Sequence, residues 1–306
     1  MKSRGAPTRK KPRGLLPFLL ILCLIGCLVH GGKGFAEDGK SFLWKVQSKT
    51  STLYILGSIH FLKQENYPLN PAIEKTFAQS GSLVVEADVS DPGKLNSEKM
   101  LRSAVYPEGD SLENHVSGET YEFVKKETGK LGMPTELIAR QKPWFLALTL
   151  EALELMKLGF NPAYGVDAYF LSKAQGSKKI LELEGIEEQI NLLSNFSDKD
   201  QELFLVYTLK DLSLVGDEAT GLIKAWSTGN VSGIESIITK TVREDRRLEP
   251  IFRRLLDDRN KGMVSTIEGY LKTRETYFVV VGAGHLVGDK GIIRILKEKS
   301  YSVEQL

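Results

Sequence analysis

One four-residue pattern occurs twice in this chain, and it places imidazole where chemistry is done. Gly57-Ser58-Ile59-His60 follows the apolar run Leu53-Tyr54-Ile55-Leu56, and Gly282-Ala283-Gly284-His285 follows Tyr277-Phe278-Val279-Val280-Val281. Each reads as a short buried strand that ends at a glycine, turns and presents a histidine. Imidazole at the end of a rigid strand serves as a metal ligand or a general base. A third apolar run, Leu83-Val84-Val85, ends in Glu86, Ala87 and Asp88. If the three strands are neighbours, His60, Glu86 and His285 converge on one patch. Two imidazoles and a carboxylate match a catalytic metal site with open positions, with Glu86 as third ligand or as general base. The plainer alternative for Glu86 is a solvated strand end. Asp88 reads as a turn residue in Asp-Val-Ser-Asp-Pro. Gly57, Gly282 and Gly284 are expected to let the backbone turn with positive φ or come close to a ligand.

Other polar residues stand beside this trio. Arg259-Asn260 suits the orientation of an oxyanion or a ligand, against the alternative of a solvated helix face with acidic partners. Asp167 suits the first turn of a helix, where its charge favours the dipole. Glu184 follows a strand and reads as a further cleft carboxylate, and His115 lies in a polar turn and is expected to be exposed. Several common sites are missing from the sequence. There is no His-Glu-x-x-His helix and no Gly-x-Ser-x-Gly elbow, and Val287 stands where a dinucleotide fingerprint needs its third glycine.

The elements that must hold these residues follow from periodicity. Residues 42–46 and 53–56 read as a hairpin-like pair of strands, and Pro71 opens a helix that runs to Gln79. The middle of the chain is helical. It comprises an apolar helix past Pro143, a helix from Val166 to Ala174, and a fourth strand at 179–183. Helices follow at 187–195 and 199–214, the second capped by Asp198 with Gln201 as its capping-box partner. Helical pieces at 217–239 break at Thr228-Gly229-Asn230, and one long helix covers 248–271. The end reads as strand 277–281, helix 291–298 and strand 301–303, a unit that favours parallel pairing. The class is α/β: one domain whose central sheet is built from N- and C-terminal strands, with a large helical insertion at about 108–275.

The first 36 residues differ from the rest. Lys2, Arg4, Arg9, Lys10, Lys11 and Arg13 precede the apolar run Leu15 to Val29. That run is shorter than the ~20 residues a membrane span requires. It reads as a secretory signal cleaved after Gly34-Phe35-Ala36, leaving a domain at 37–306. Lipidation at Cys27 within Leu24-Ile25-Gly26-Cys27 is the alternative, and a retained anchor a third. The expected protein is therefore exported, periplasmic or extracellular, and touches a membrane only through that leader. Residues 1–36 carry seven of the 41 basic residues and none of the 39 acidic ones, so the remainder has a net charge of −5. That balance argues against nucleic-acid binding, which rests on a basic surface. Both cysteines, Cys23 and Cys27, lie in the leader. The domain therefore has no disulfide, no catalytic thiol and no thiolate ligand, and any metal must take nitrogen and oxygen donors.

Taken together, these segments resemble the TraB/GumN family. The resemblance rests on residues 42–46, 53–60 and 84–88, on Gly165-Val166-Asp167 and Leu183-Glu184, and on Arg259-Asn260-Lys261-Gly262-Met263 followed by residues 278–288. It implies a fold similar to erythromycin-esterase-like and ChaN-like proteins. The family includes the Tiki proteins, membrane-tethered metalloproteases that act on Wnt and depend on Mn or Co. The implied site is that of a metal-dependent hydrolase built from His60, Glu86 and His285, with Arg259 and Asn260 in support. The cysteines of the animal members are missing here.

Three functions remain open on this reading. The first is an exported metal-dependent hydrolase for a peptide or small-molecule substrate, with Mn, Co or Zn as the divalent ion. The second is a metal-free enzyme that uses His and Glu as an acid–base pair. The third is a non-catalytic exported protein that sequesters a peptide, metal or haem-like ligand. The sequence fixes neither the substrate nor the oligomeric state.

Overall fold

The computed structural model describes residues 39–90 and 97–306. The leader, with Cys27 and the cleavage site, lies outside these residues. The described strands form one six-stranded sheet. They are β1 (Leu43–Gln47), β2 (Thr52–Ser58), β3 (Ser82–Val85), β4 (Lys179–Glu182), β5 (Thr276–Gly282) and β6 (Ser302–Gln305), in the spatial order β4-β3-β5-β2-β1-β6. β4, β3, β5 and β2 run parallel, while β1 is antiparallel to both β2 and β6. The architecture is therefore mixed α/β with a mostly parallel sheet. The C-terminal unit departs from the expected adjacency. β6 points the same way as β5, yet two strands separate them, because β2 already occupies the edge of β5.

The central position of β5 follows from its composition. Phe278 to Val281 are fully buried, and a β-branched run without polar alternation needs cover on both faces. Helix α1 (Pro71–Gln79) opens with Pro71 behind an Asn70 cap, whose side chain accepts from the Ala72 N–H at 2.8 Å. Phe77 of α1, Phe170 and Phe278 stack mutually with ring centroids 4.8–5.4 Å apart, which fixes α1 on the sheet.

Between β3 and β5 run α2 (Ser97–Ala104), α3 (Gly118–Lys130), α4 (Thr135–Ile138), α5 (Pro143–Lys157), α6 (Val166–Ala174), α7 (Ile186–Ser194), α8 (Asp198–Asp211), α9 (Val215–Ser227), α10 (Val231–Glu244), α11 (Glu249–Phe252) and α12 (Asp258–Leu271); α13 (Ile292–Glu298) follows β5. Some of these helices, α5 and α8 among them, bury a second apolar core around Trp144, Leu150, Phe204 and Leu255, while α6, α9, α12 and α13 pack into the sheet core. Two expectations change here. The cap of α8 is Ser197, whose hydroxyl accepts from the Asp200 N–H, and Asp198 is the first helical residue. The long helix over 248–271 is interrupted by a π turn at Arg253–Asp257. Leu255 there packs into the helical core and Leu256 into the sheet core, so the wider turn lies where one helix must serve both.

The helical layer also buries acids. Burial, reinforced by the charge of Glu218, pushes the Glu151 carboxyl up to about 8. Burial, with Glu218 and Glu244, pushes Asp211 up to about 8 as well. A carboxyl whose folded pKa lies above its unfolded value holds more protons in the native state, so stability falls as pH rises from about 4.5 towards 8. Glu151→Gln should remove its own share of that slope, at most about 1.4 kcal/mol per pH unit, and leave the share of Asp211. Thermal melts at pH 5, 6.5 and 8 check this: the stability advantage of the variant should widen steadily with pH, and a constant difference would contradict it.

Candidate active site

Parallel pairing brings four strand ends to one edge of the sheet. The register sets Ser58 beside Gly282, Val85 beside Val280, and Val85 beside Glu182. His60, Glu86, Glu184 and His285 follow these strands within a few residues, and so lie at their carboxyl ends, where open α/β sheets bind ligands. The glycines do this differently from expectation. None of Gly57, Gly282 and Gly284 has a positive φ; the left-handed glycine of this region is Gly288, at +80°. Gly57 is needed for close packing, since a Cβ there would lie 2.3 Å from the Phe42 ring. Gly282 contributes its N–H, which donates to Glu86 Oε1 at 2.6 Å.

His60 is held from α6. Its Nδ1 lies 2.7 Å from Asp167 Oδ2, and the same oxygen accepts from the Ser58 hydroxyl at 2.6 Å. The Val166 N–H donates to the Ile59 carbonyl at 3.0 Å, and a Cβ on Gly165 would strike the His60 carbonyl at 2.3 Å. Gly165-Val166-Asp167 is thus a clamp on the His60 loop. Asp167 is in the first turn of α6 as expected, but its carboxylate faces the imidazole.

Glu86 accepts three hydrogen bonds among the described residues. Oε1 accepts from Gly282; Oε2 accepts from Arg259 Nη2 at 2.7 Å and from Gln189 Nε2 at 3.1 Å. Arg259 also grips Glu184 through Nε and Nη2 at 2.8–3.1 Å and donates from Nη1 to the Leu255 carbonyl. It is therefore a buried bridge between two carboxylates, and the solvated-face alternative fails. Its Nε and Nη2 serve Glu86 and Glu184, and Nη1 donates to the backbone. Asn260 is committed in the same way: Oδ1 lies 2.6 Å from His285 Nδ1, and Nδ2 donates to the Lys290 carbonyl at 2.8 Å.

Charge follows from this packing. Burial pushes the Glu86 carboxyl up, but the positive groups around it (His285 when protonated, Arg259 and His60) and the Gly282 N–H together hold it down at about 2. Glu86 is thus ionised throughout the neutral range and is a poor proton acceptor, which disfavours the general-base role. Burial, with Arg259 alongside, pushes His285 down to about 3, so its imidazole is neutral. Burial raises Glu184 against the opposing pull of Arg259.

The donor atoms admit a direct test for a divalent ion. His285 is fully buried and its Nε2 has no hydrogen-bond partner among the described residues, although it lies 3.8 Å from Glu86 Oε1. A buried polar atom left unpaired is costly, and a neutral imidazole nitrogen beside a carboxylate fits a Lewis-acidic cation. Among the described residues, no group of three or more His, Cys, Asp or Glu side chains is already arranged to hold an ion. The chain therefore offers ligand-competent atoms without a closed cage. The other sequence candidates lie elsewhere. Asp88 closes a turn on Ser90, and His115 pairs with Asp110 and stacks on Tyr106 at 4.0 Å instead of standing exposed. Gln189 was not foreseen, because nothing in Ile186 to Ser194 marks one polar residue of an amphipathic helix above another.

Comparison with known proteins agrees with the motifs. The profile of the TraB/PrgY/gumN family matches residues 42–305. The uncharacterized protein YbaP of Escherichia coli is 27% identical over 245 residues, covering 80% of this chain and 87% of that protein. Metalloprotease TIKI2 of Xenopus tropicalis is 23% identical over 317 residues, and metalloprotease TIKI1 of Danio rerio is 25% identical over 317 residues. Each of these two alignments covers 88% of this chain, which spans only 60% and 63% of those proteins. No solved structure matches the chain.

Proposed function

The chain belongs to the TraB/PrgY/gumN family, and from that premise we propose that it is a metal-dependent hydrolase acting on peptide bonds. The observation that carries the reading is the fully buried Nε2 of His285, without a hydrogen-bond partner among the described residues and 3.8 Å from an ionised Glu86. His60, His285 and Glu86 would hold the ion. When bound, such an ion supplies Lewis acidity and an activated water. The chain's own residues supply the rest. Neutral His285 has its Nδ1 against Asn260 Oδ1 and its Nε2 on the Glu86 side. Glu86 supplies fixed negative charge, and Arg259 limits the net charge of the buried acids to −1 by bridging Glu86 and Glu184. Asp167 and Ser58 hold the imidazole of His60 in place. Relatives named metalloproteases, at 23–25% identity, support the reaction class.

The same reading extends to an erythromycin-esterase-like, ChaN-like architecture and to an exported protein freed of its leader. Manganese, cobalt and zinc all suit a nitrogen–oxygen donor set. The test is to chelate the purified protein, reload it with each ion in turn, and follow a peptide library by mass spectrometry. Cleavage should vanish on chelation and return with one of these ions. Undiminished cleavage after chelation would point to the metal-free acid–base enzyme. Retention of a peptide without product would point to the binding protein.

A further inference from the structure

We propose that Asn260 is a positioning residue that fixes the tautomer of His285, and that the carbonyl of Lys290 in turn fixes Asn260. The argument is one of donors and acceptors. A primary amide has one accepting oxygen and one donating nitrogen. The Lys290 carbonyl only accepts, so the end of Asn260 that meets it at 2.8 Å must be Nδ2. Oδ1 is then left facing His285 Nδ1 at 2.6 Å. That oxygen also only accepts, so Nδ1 must carry the hydrogen. A neutral imidazole has one N–H, and Nε2 is therefore left as a lone pair on the Glu86 side of the ring. Turning the amide over would set oxygen against oxygen at Lys290 and nitrogen against the N–H of His285 at Asn260, which is only 2% exposed.

The Lys290 carbonyl is itself held by a tight turn. Gly288 has φ +80°, the Gly291 N–H donates to the Gly288 carbonyl at 3.1 Å, and a Cβ on Gly291 would lie 2.4 Å from the Val287 carbonyl. The relay thus runs from turn 287–291 to Asn260 to His285. It explains the amide: a carboxylate at position 260 would accept from Nδ1 but would set oxygen against the Lys290 carbonyl. His60 needs no relay, because the Asp167 carboxylate has only acceptors to offer its Nδ1. The lone pair on His285 is on this view a property of the chain itself, and only its use as a ligand rests on the function proposed above.

The test combines nitrogen-15 NMR of histidine-labelled full-length protein with titration by cobalt(II). Wild type should show His285 protonated on Nδ1 and bare at Nε2 before any metal is added. Asn260→Ala should lose that preference and weaken cobalt binding by about 10- to 100-fold. Asn260→Asp should melt at lower temperature yet restore the tautomer, which a merely structural role would not do. Protonation at Nε2 in the wild type, or an unchanged tautomer and cobalt affinity in Asn260→Ala, would overturn the proposal. The expected tautomer in a wild type that binds no cobalt would uphold it while removing the metal reading.

Discussion

His285→Ala is expected to bring bound divalent metal down to background and to cut hydrolysis by more than about 100-fold. Loss of an outer partner of a metal-bound histidine typically costs 10- to 100-fold, and loss of the ligand itself should cost more. The fold should survive, because His285 makes one side-chain hydrogen bond, to Asn260, and sits beside a sheet core of its own strength. Elemental analysis and peptide cleavage, read beside a circular dichroism spectrum, separate loss of chemistry from loss of structure. His60→Ala should behave alike, since both imidazoles follow adjacent parallel strands. Wild-type metal content together with wild-type hydrolysis in both variants would end the metallohydrolase reading.

The second large effect is on stability. Arg259→Met should destabilise the protein by about 3–5 kcal/mol, the cost of removing one partner from a buried ion pair. The guanidinium is mostly buried and bridges Glu86 and Glu184 at 2.7 and 2.8 Å, so its loss leaves two buried acids facing each other. The penalty has a predictable pH dependence. Arg259 helps to hold Glu86 down at about 2; without it the folded pKa of both acids rises, and protonation then relieves the repulsion. The gap between variant and parent should therefore be full at neutral pH and narrow as pH falls through the ordinary carboxylate range. Arg259→Lys keeps the charge but cannot span two carboxylates, and should fall between the two. Urea unfolding at pH 4.5 and 7 measures this, and a methionine variant within about 1 kcal/mol of the parent would show that the bridge contributes nothing net.

These two experiments address residues of different legibility. His60, Glu86 and His285 stood out because a strand that ends at a turn is a local pattern, readable from alternation and glycine placement. Arg259 and Asn260 stood out only as polar residues on a helix, with a solvated face as the alternative. They follow a π turn five residues long, at Arg253–Asp257, that no period in the sequence announces. The clamp at Gly165-Val166-Asp167 was visible as a helix start, but its target lies 107 residues upstream. Gln189 carried no signal, since its partner Glu86 is 103 residues away.

What the sequence determined by itself was the set of reactive groups and the strand ends that carry them. Side-chain alternation and turn chemistry act over a few residues, and there the reading is local. The direction of β6 could be read from its own segment, but not its place beyond β1, because strand order is settled by which apolar edges meet after long crossovers. The partner of each functional atom was decided in the same way. Whether Glu86 works as base or fixed charge depends on Arg259, 173 residues further on. Which nitrogen of His285 carries the hydrogen depends on a carbonyl in the following turn. Hydrogen bonds act within about 3 Å, and only the folded chain brings their two ends to that distance.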